Sequence, residues 1–290
     1  MAYLTLHHEV WIASQRRSGL DVCGHAKPAI QTIGGARSGG PSTGAAAEAA
    51  IRKAGKPIVI IKGGKSAAGQ QAAATHTGAL AGEDRIFEAV LAQYGVERAN
   101  SLDDVIDMAY LFCRAPKLTG TNLAVATISG GAGVLMADAA EAHGLTLGPL
   151  PARTATNLAS LLPYASITNP LDTTAQAVND LDVWSQSMAH LSVAGYDVLL
   201  MYLAHFGQSE EMFGRVTDAM RTLPQDADCP VIYCTLFSPE TRARAEELGF
   251  LTFEEPERAL RAIGSLARAQ RPLGNSFAEE TAGGGERIEI

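Results

Sequence analysis

From Ala46 onward, short apolar runs alternate with longer segments whose apolar residues recur every three or four positions. "KPIVIIKGG", "LAVATIS", "YDVLLMYLA", "PVIYCTLF" and "FLTF" have the composition of strands buried on both faces. Between them lie "AAAEAAIRKAG", "EDRIFEAVLAQYG", "SLDDVIDMAYLFCRA", "GGAGVLMADAAEAHG", "SEEMFGRVTDAMRTLP", "SPETRARAEELG" and "EPERALRAIGSLARAQ", which carry the helical period. Their ends are marked. Ser101 is placed as an N-cap with Asp103 and Asp104 in the first turn, where the helix dipole favours acids. Ser238 and Pro239 form an N-cap and N1 pair, and Gly55 and Gly95 follow the last turns of two others. Strands alternating with helices predict an α/β fold with doubly wound, mainly parallel sheets. "PKLTGTN" at 116–122 reads as a linker between two such sheets.

In open α/β sheets, sites form at the carboxyl ends of strands, in the turns that lead into helices. The candidates are "KGGKSAAGQQAAATHTGALAG", "SGGAG", "AHFGQSEE" and "LFSPE". The first is read as one long glycine-rich loop, and it carries His76 between Thr75 and Thr77, ahead of Gly78 and Gly82. A histidine in such a loop is a candidate nucleophile, although most lone histidines are bystanders. "GGKS" fails as a phosphate-binding P-loop, because Val59 stands where that motif needs its first glycine. "GAGVLM" fails as a dinucleotide fingerprint, with Met136 in the third glycine position and no acid-ended strand at the required distance. "SGGAG" still places the backbone N–H groups of Gly130, Gly131, Ala132 and Gly133 at a helix start, where an anion can dock.

Composition narrows the classes. Over 290 residues, 47% are hydrophobic and 19% charged, which is globular rather than disordered. The 23 Lys and Arg are scattered through a chain of net charge −8, so nucleic-acid binding is not expected. Cys23, Cys113, Cys229 and Cys234 form no CxxC pair and read as reduced, partly buried thiols. No apolar stretch has membrane-spanning length and no metal-ligand pattern stands out, so a cytoplasmic protein with no metal ligands of its own is the expectation.

Four motifs together resemble a known family. "KPIVIIKGGKSAAGQQAAATHTGALAGEDRIFEAVLAQYGV" followed by "SLDDVIDMA", then "ISGGAGVLMADAAEAHGL", "TNPLDTTA" and "FLTFEEPERALRAI", stand in the order found in the NDP-forming acyl-CoA synthetases. These include the ADP-forming acetyl-CoA synthetases and succinyl-CoA synthetase. The resemblance covers residues 46–272 and implies two tandem flavodoxin-like domains, the first of them incomplete. It divides the chain into an unmatched segment 1–45, read as disordered or degenerate, a ligase-like domain 46–118, a second domain 119–272 and a flexible tail 273–290.

The family converts acyl-CoA, phosphate and NDP into acid, CoA and NTP through an acyl phosphate and a phosphorylated histidine. The resemblance puts His76 in that role and makes Gly130, Gly131, Ala132 and Gly133 one of the helix N-termini that hold the phosphate. Thr75, Thr77, Gly78, Gly82, Asn169 and Asp172 are implied as supporting residues. CoA, ATP or ADP, and Mg²⁺ are implied only through modules not seen in these 290 residues, a CoA-binding Rossmann domain and an ATP-grasp chain or domain. A hetero-oligomer or dimer is the corresponding expectation.

The chain also departs from the family. The "SQSG"-type anion loop and the glutamate that orients the histidine should precede Ala46, and no acid occurs between Asp21 and Glu48. A truncated or frameshifted piece of a fused synthetase, a separately encoded subunit and a degenerate homologue all remain open. A non-catalytic scaffold or ligand sensor is the alternative to an enzyme. The intact "HTGALAG" argues against it, because a sensor needs no nucleophile there.

Overall fold

The computed structural model describes residues 10–14, 57–77, 84–93, 95–174 and 180–271. The chain's first sheet is small. Strands β1 (Val10–Ser14), β2 (Ile58–Lys62) and β3 (Glu97–Ala99) lie in the order β1-β2-β3. β1 runs antiparallel to β2, from Val10 opposite Lys62 to Ser14 opposite Ile58, and β3 runs parallel to β2. β1 lies within residues 1–45, where no strand is expected. Its partner lies more than 40 residues away, so nothing local marks it. The rest of 1–45 and the tail 273–290 lie outside the described residues. Three helices accompany this sheet: α1 (Ala67–Thr77), α2 (Asp84–Gln93) and α3 (Leu102–Arg114).

The second sheet has five parallel strands: β4 (Leu123–Thr127), β5 (Leu171–Asp172), β6 (Val198–Tyr202), β7 (Val231–Cys234) and β8 (Leu251–Phe253). Their order is β5-β4-β6-β7-β8, which is the 2-1-3-4-5 order of flavodoxin-like sheets. Both faces are covered, and the strand residues alternate between two cores. Leu123, Val125, Val198, Leu200, Ile232 and Cys234 face one core, and Ala124, Ala126, Leu199, Met201, Val231 and Tyr233 the other. Helices α4 (Gly130–Ala142), α5 (Ala152–Leu161), α6 (Leu181–Ser192), α7 (Glu210–Ala219), α8 (Leu223–Asp226), α9 (Pro239–Glu247) and α10 (Pro256–Ala269) supply the covering layers. α5 and α6 were not foreseen.

The caps behave as expected. Ser101 Oγ accepts the Asp104 N–H at 3.1 Å, and Ser238 Oγ accepts the Thr241 N–H at 3.2 Å in a capping box. Each cap satisfies a donor that the helix itself leaves unpaired.

The two sheets share one core. Val59, Ala99, Val105, Met108, Leu111 and Phe112 of the first part join Leu123, Val125, Met136, Leu260, Ile263 and Leu266 of the second in a single cluster. α3 packs directly on α10, and charge pairs from α10 to α3 and to β3 just before it show that the two helices run antiparallel. Arg258 bonds Asp107 at 2.7 and 2.9 Å, Arg261 bonds Asp104 at 2.6 Å, and Arg268 bonds Glu97 at 2.8 Å. Moving forward along α10 therefore moves backward along α3. Residues 116–122 are also less free than a linker. Leu118 is buried, its N–H donates to Gln270 Oε1 at 2.7 Å, and Asn122 bridges to Thr146.

Candidate functional site

The glycine-rich start of α4 forms at the carboxyl end of β4, beside the point where the strand order reverses. Thr127 shapes this turn, because its hydroxyl accepts the Ser129 N–H at 3.0 Å and donates to the Ser129 carbonyl at 3.2 Å. Ser129 is the N-cap and makes no side-chain cap bond. The first intrahelical bond runs from Gly133 N–H to Ser129 O, so the N–H groups of Gly130, Gly131 and Ala132 have no acceptor within the helix. Gly130 and Gly131 are exposed, and a Cβ on Gly131 would meet nothing within 4 Å. Gly133 is buried, and a Cβ there would touch Thr127 at 3.4 Å and Pro170 at 3.5 Å.

Asn169 and Asp172 take up different tasks here. Asn169 is a clip: Oδ1 accepts the Val125 N–H at 3.0 Å, and Nδ2 donates to Leu123 O at 2.7 Å and Gly148 O at 3.0 Å. The Asn169–Pro170 peptide is cis. Asp172, paired with Thr127 across β4–β5, accepts the Thr174 N–H at 2.9 Å through Oδ1. Its Oδ2 would stand 2.8 Å from a Cβ on Gly130. A carboxylate thus already faces the positive end of α4, and an incoming phosphate meets that charge.

The other half of the candidate site differs from its expectation. Residues 67–77 are helical, not a loop, and His76 stands in the last turn of α1. The cause is local: "AAGQQAAAT" is rich in alanine and glutamine, and helix propensity outweighs its one glycine. The side chains of Thr75, His76 and Thr77 lie outside the described residues, as do Gly78 and Gly82 altogether. Upstream, Gly64 has φ +77°, and Ser66 Oγ accepts the Gly69 N–H at 3.1 Å. "GGKS" is therefore a turn and a helix cap.

Lys65 Nζ donates to Asn100 Oδ1 at 2.6 Å, so the turn at 63–66 sits with the carboxyl ends of β2 and β3. Arg258, in the first turn of α10 after β8, lies 3.7 Å from Asp103 in the first turn of α3, which follows β3.

Two further turns flank α4's end of the second sheet. Ala204, at φ +47° after β6, accepts the Leu236 N–H at 2.8 Å and the Thr235 hydroxyl at 2.9 Å. Thr174, after β5, has φ +58°. The first opens "AHFGQSEE", one of the candidate turns, and the second lies in "TNPLDTTA", but left-handed alanine and threonine carry no local signature of their own. The described cysteines are unsuited to nucleophilic work. Burial pushes Cys229 up to about 12 and raises Cys234 further, and it also raises half-buried Cys113. Cys23 lies outside the described residues. Among the described residues no group of three or more His, Cys, Asp or Glu could hold a metal ion, and no helix is long and apolar enough to cross a membrane.

Comparison with known proteins adds the following. The family model described as succinyl-CoA ligase like flavodoxin domain matches residues 35–112. The chain is 32% identical over 225 residues to the alpha subunit of an ADP-forming acetate–CoA ligase II from Pyrococcus furiosus, a match covering 76% of this chain and 49% of that one. It is 38% identical over 118 residues to the ADP-forming acetate–CoA ligase of Methanocaldococcus jannaschii, covering 40% and 17%. Among solved structures, the dinucleotide-forming acetyl-coenzyme A synthetase 1 of Ca. Korarchaeum cryptofilum, in complex with phosphate and ADP, superposes with a TM-score of 0.68 at 25% identity. That match covers 86% of this chain and 55% of the other. The chain spans about half the length of the first of these relatives.

Proposed function

The chain belongs to the NDP-forming acyl-CoA synthetase family, and on that premise we propose that it is the phosphohistidine-carrying part of such an enzyme. His76 is the carrier. Its neutral imidazole nitrogen attacks the phosphorus of an acyl phosphate, the bond from phosphorus to the acyl oxygen breaks, and the carboxylate leaves. A terminal oxygen of NDP then attacks the same phosphorus, the N–P bond breaks, and His76 is restored. The observation that carries this reading is "THTGALAG" at 75–82, standing within a match that extends over most of the chain.

In this reading residues 46–118 form the ligase-like domain and 119–272 the second domain. The N–H groups of Gly130, Gly131 and Ala132 hold the phosphoryl group by hydrogen bonds and the helix dipole, and Gly133 lets the turn pack closely beneath them. Asn169 supports them by fixing β4 against the 148 turn. CoA, nucleotide and Mg²⁺ are brought by a CoA-binding Rossmann domain and an ATP-grasp chain or domain, so turnover requires those modules, in a hetero-oligomer or dimer. The chain alone does not turn over.

The test is incubation with ATP, Mg²⁺ and an ATP-grasp partner. Acid-labile, base-stable phosphate on wild type and none on His76→Ala is the expected result. No label on wild type, or equal label on the variant, refutes the assignment. A second outcome concerns Asp172. Removing one charge beside the phosphate is worth about 1 kcal/mol at water-like screening, so Asp172→Asn tightens inorganic phosphate binding by about fivefold. Calorimetric titration of both proteins with phosphate measures it.

A further inference from the structure

A continuous chain of bonds joins α10 to the turn that launches α1. Arg261 Nη1 donates to Asp104 Oδ1 at 2.6 Å. The Asn100 N–H donates to Asp104 Oδ2 at 2.9 Å. Lys65 Nζ donates to Asn100 Oδ1 at 2.6 Å, and Ser66 then caps the helix through Gly69. The Asp104 side chain is only 2% exposed, so it is a fixed anchor on the core side, while Asn100 and Lys65 are exposed. α3, which carries Asp104, is wedged into the core common to both sheets.

We propose that Lys65 and Asn100 are positioning residues for His76, tying the start of its helix to the rigid α3–α10 layer. The inference rests on the phosphohistidine reading above. Its physical basis is leverage. Ala67, Ala68, Gln70 and Ala72 of α1 are exposed, so the described side chains of this half do not enter the core, and the bonded turn at its start sets its direction. His76 lies ten residues beyond Ser66, the cap of this helix, about 15 Å away at 1.5 Å per residue. A tilt of about 10° at the turn then moves the histidine backbone by roughly 2.6 Å over that length. Misplacement of about 1 Å can cost on the order of a hundredfold in a group-transfer step. Lys65 reaches Asn100 across two strand ends, so the bond resists that tilt.

Asn100→Ala is the informative variant, because it removes the Lys65 acceptor and leaves the backbone N–H on Asp104 in place. The full chain is phosphorylated by ATP, Mg²⁺ and the ATP-grasp partner, and the rate of acid-labile label at His76 is measured. In parallel, phosphoramidate, a small chemical donor that needs no positioning, labels the same proteins. Asn100→Ala and Lys65→Ala slow the partner-driven rate by about tenfold or more and leave the phosphoramidate rate unchanged. The double variant is no slower than either single one, and Asn100→Asp, which keeps an acceptor for Lys65, restores the rate to within about twofold. If wild type labels and Asn100→Ala labels from the partner just as fast, the positioning role is refuted while His76 remains the carrier. Equal slowing with both donors also refutes it, since the fault then lies in the fold. If wild type takes no label, the phosphohistidine reading fails, and the positioning role with it.

Discussion

β6 and β2 are near twins in sequence, "VLLMY" against "IVIIK", yet they stand in different surroundings. β6 has parallel neighbours on both sides, with Val198 and Leu200 in one core and Leu199 and Met201 in the other. β2 has one antiparallel and one parallel neighbour. Its Val59 belongs to the core shared with the second sheet, and Ile61 packs against the same cluster. Ile58 and Ile60 are buried but, among the described residues, join neither cluster. The large sheet therefore carries a core of its own and lends half of it to the small one. The part that bears His76 is built as an attachment to the α3–α10 layer.

The strongest way to break this comparison is to open the shared core. Leu111 on α3 is 1% exposed, and Leu111→Ala removes buried methyl groups at a cost of about 3 kcal/mol. Because the cluster belongs to both sheets, denaturant unfolding should stay a single transition with a lowered midpoint. Two separated transitions would show that the halves fold independently. A milder comparison uses one helix cap from each half. Ser101→Ala and Ser238→Ala should each cost about 1 kcal/mol and lower the same transition. The double variant should add to within about 0.5 kcal/mol, the usual margin for sites that share no partner.

The smallest effect is a pH dependence at the joint itself. His143 caps α4 beside α10, and burial, then Arg261, holds its pKa below the usual value, with Arg268 lowering it further and Glu257 and Asp104 opposing. The unfolded chain therefore binds this proton more readily than the folded one. The stability involved is fully present above the ordinary histidine pKa, about 6.5, and is lost as pH falls through the lower folded value. His143→Gln should lose less stability than wild type between neutral and mildly acid pH, read as the difference in urea midpoints. The group is only half-buried, so screening keeps the difference small.

Legibility differed between the regions for the same reason. In the second sheet, "LAVAT", "VLLMY" and "VIYC" are apolar at every level because both faces are covered, and Ser101, Ser238 and Pro239 announce their helices with their own side chains. The parallel α/β class and the glycine turn at 130–133 followed from that. α5 was missed because "ARTATNLASL" buries only Thr154 and Leu158, too little for a visible stripe. β3, "ERA", has no strand pattern of its own and is a strand because β2 lies beside it.

What the sequence determined by itself is the set of local decisions: which runs are apolar on both faces, where hydroxyls cap helices, and where glycines open a turn. It also determined that a histidine stands in "THTGALAG". Tertiary structure alone decided that β1 pairs with β2 and that α3 lies antiparallel on α10. It also set the Asp172 carboxylate against Gly130 and linked Lys65 to Asp104 through Asn100. These depend on pairings between residues far apart in the chain. Their energies come from burial, charge and hydrogen bonding that exist only once both partners have been brought together.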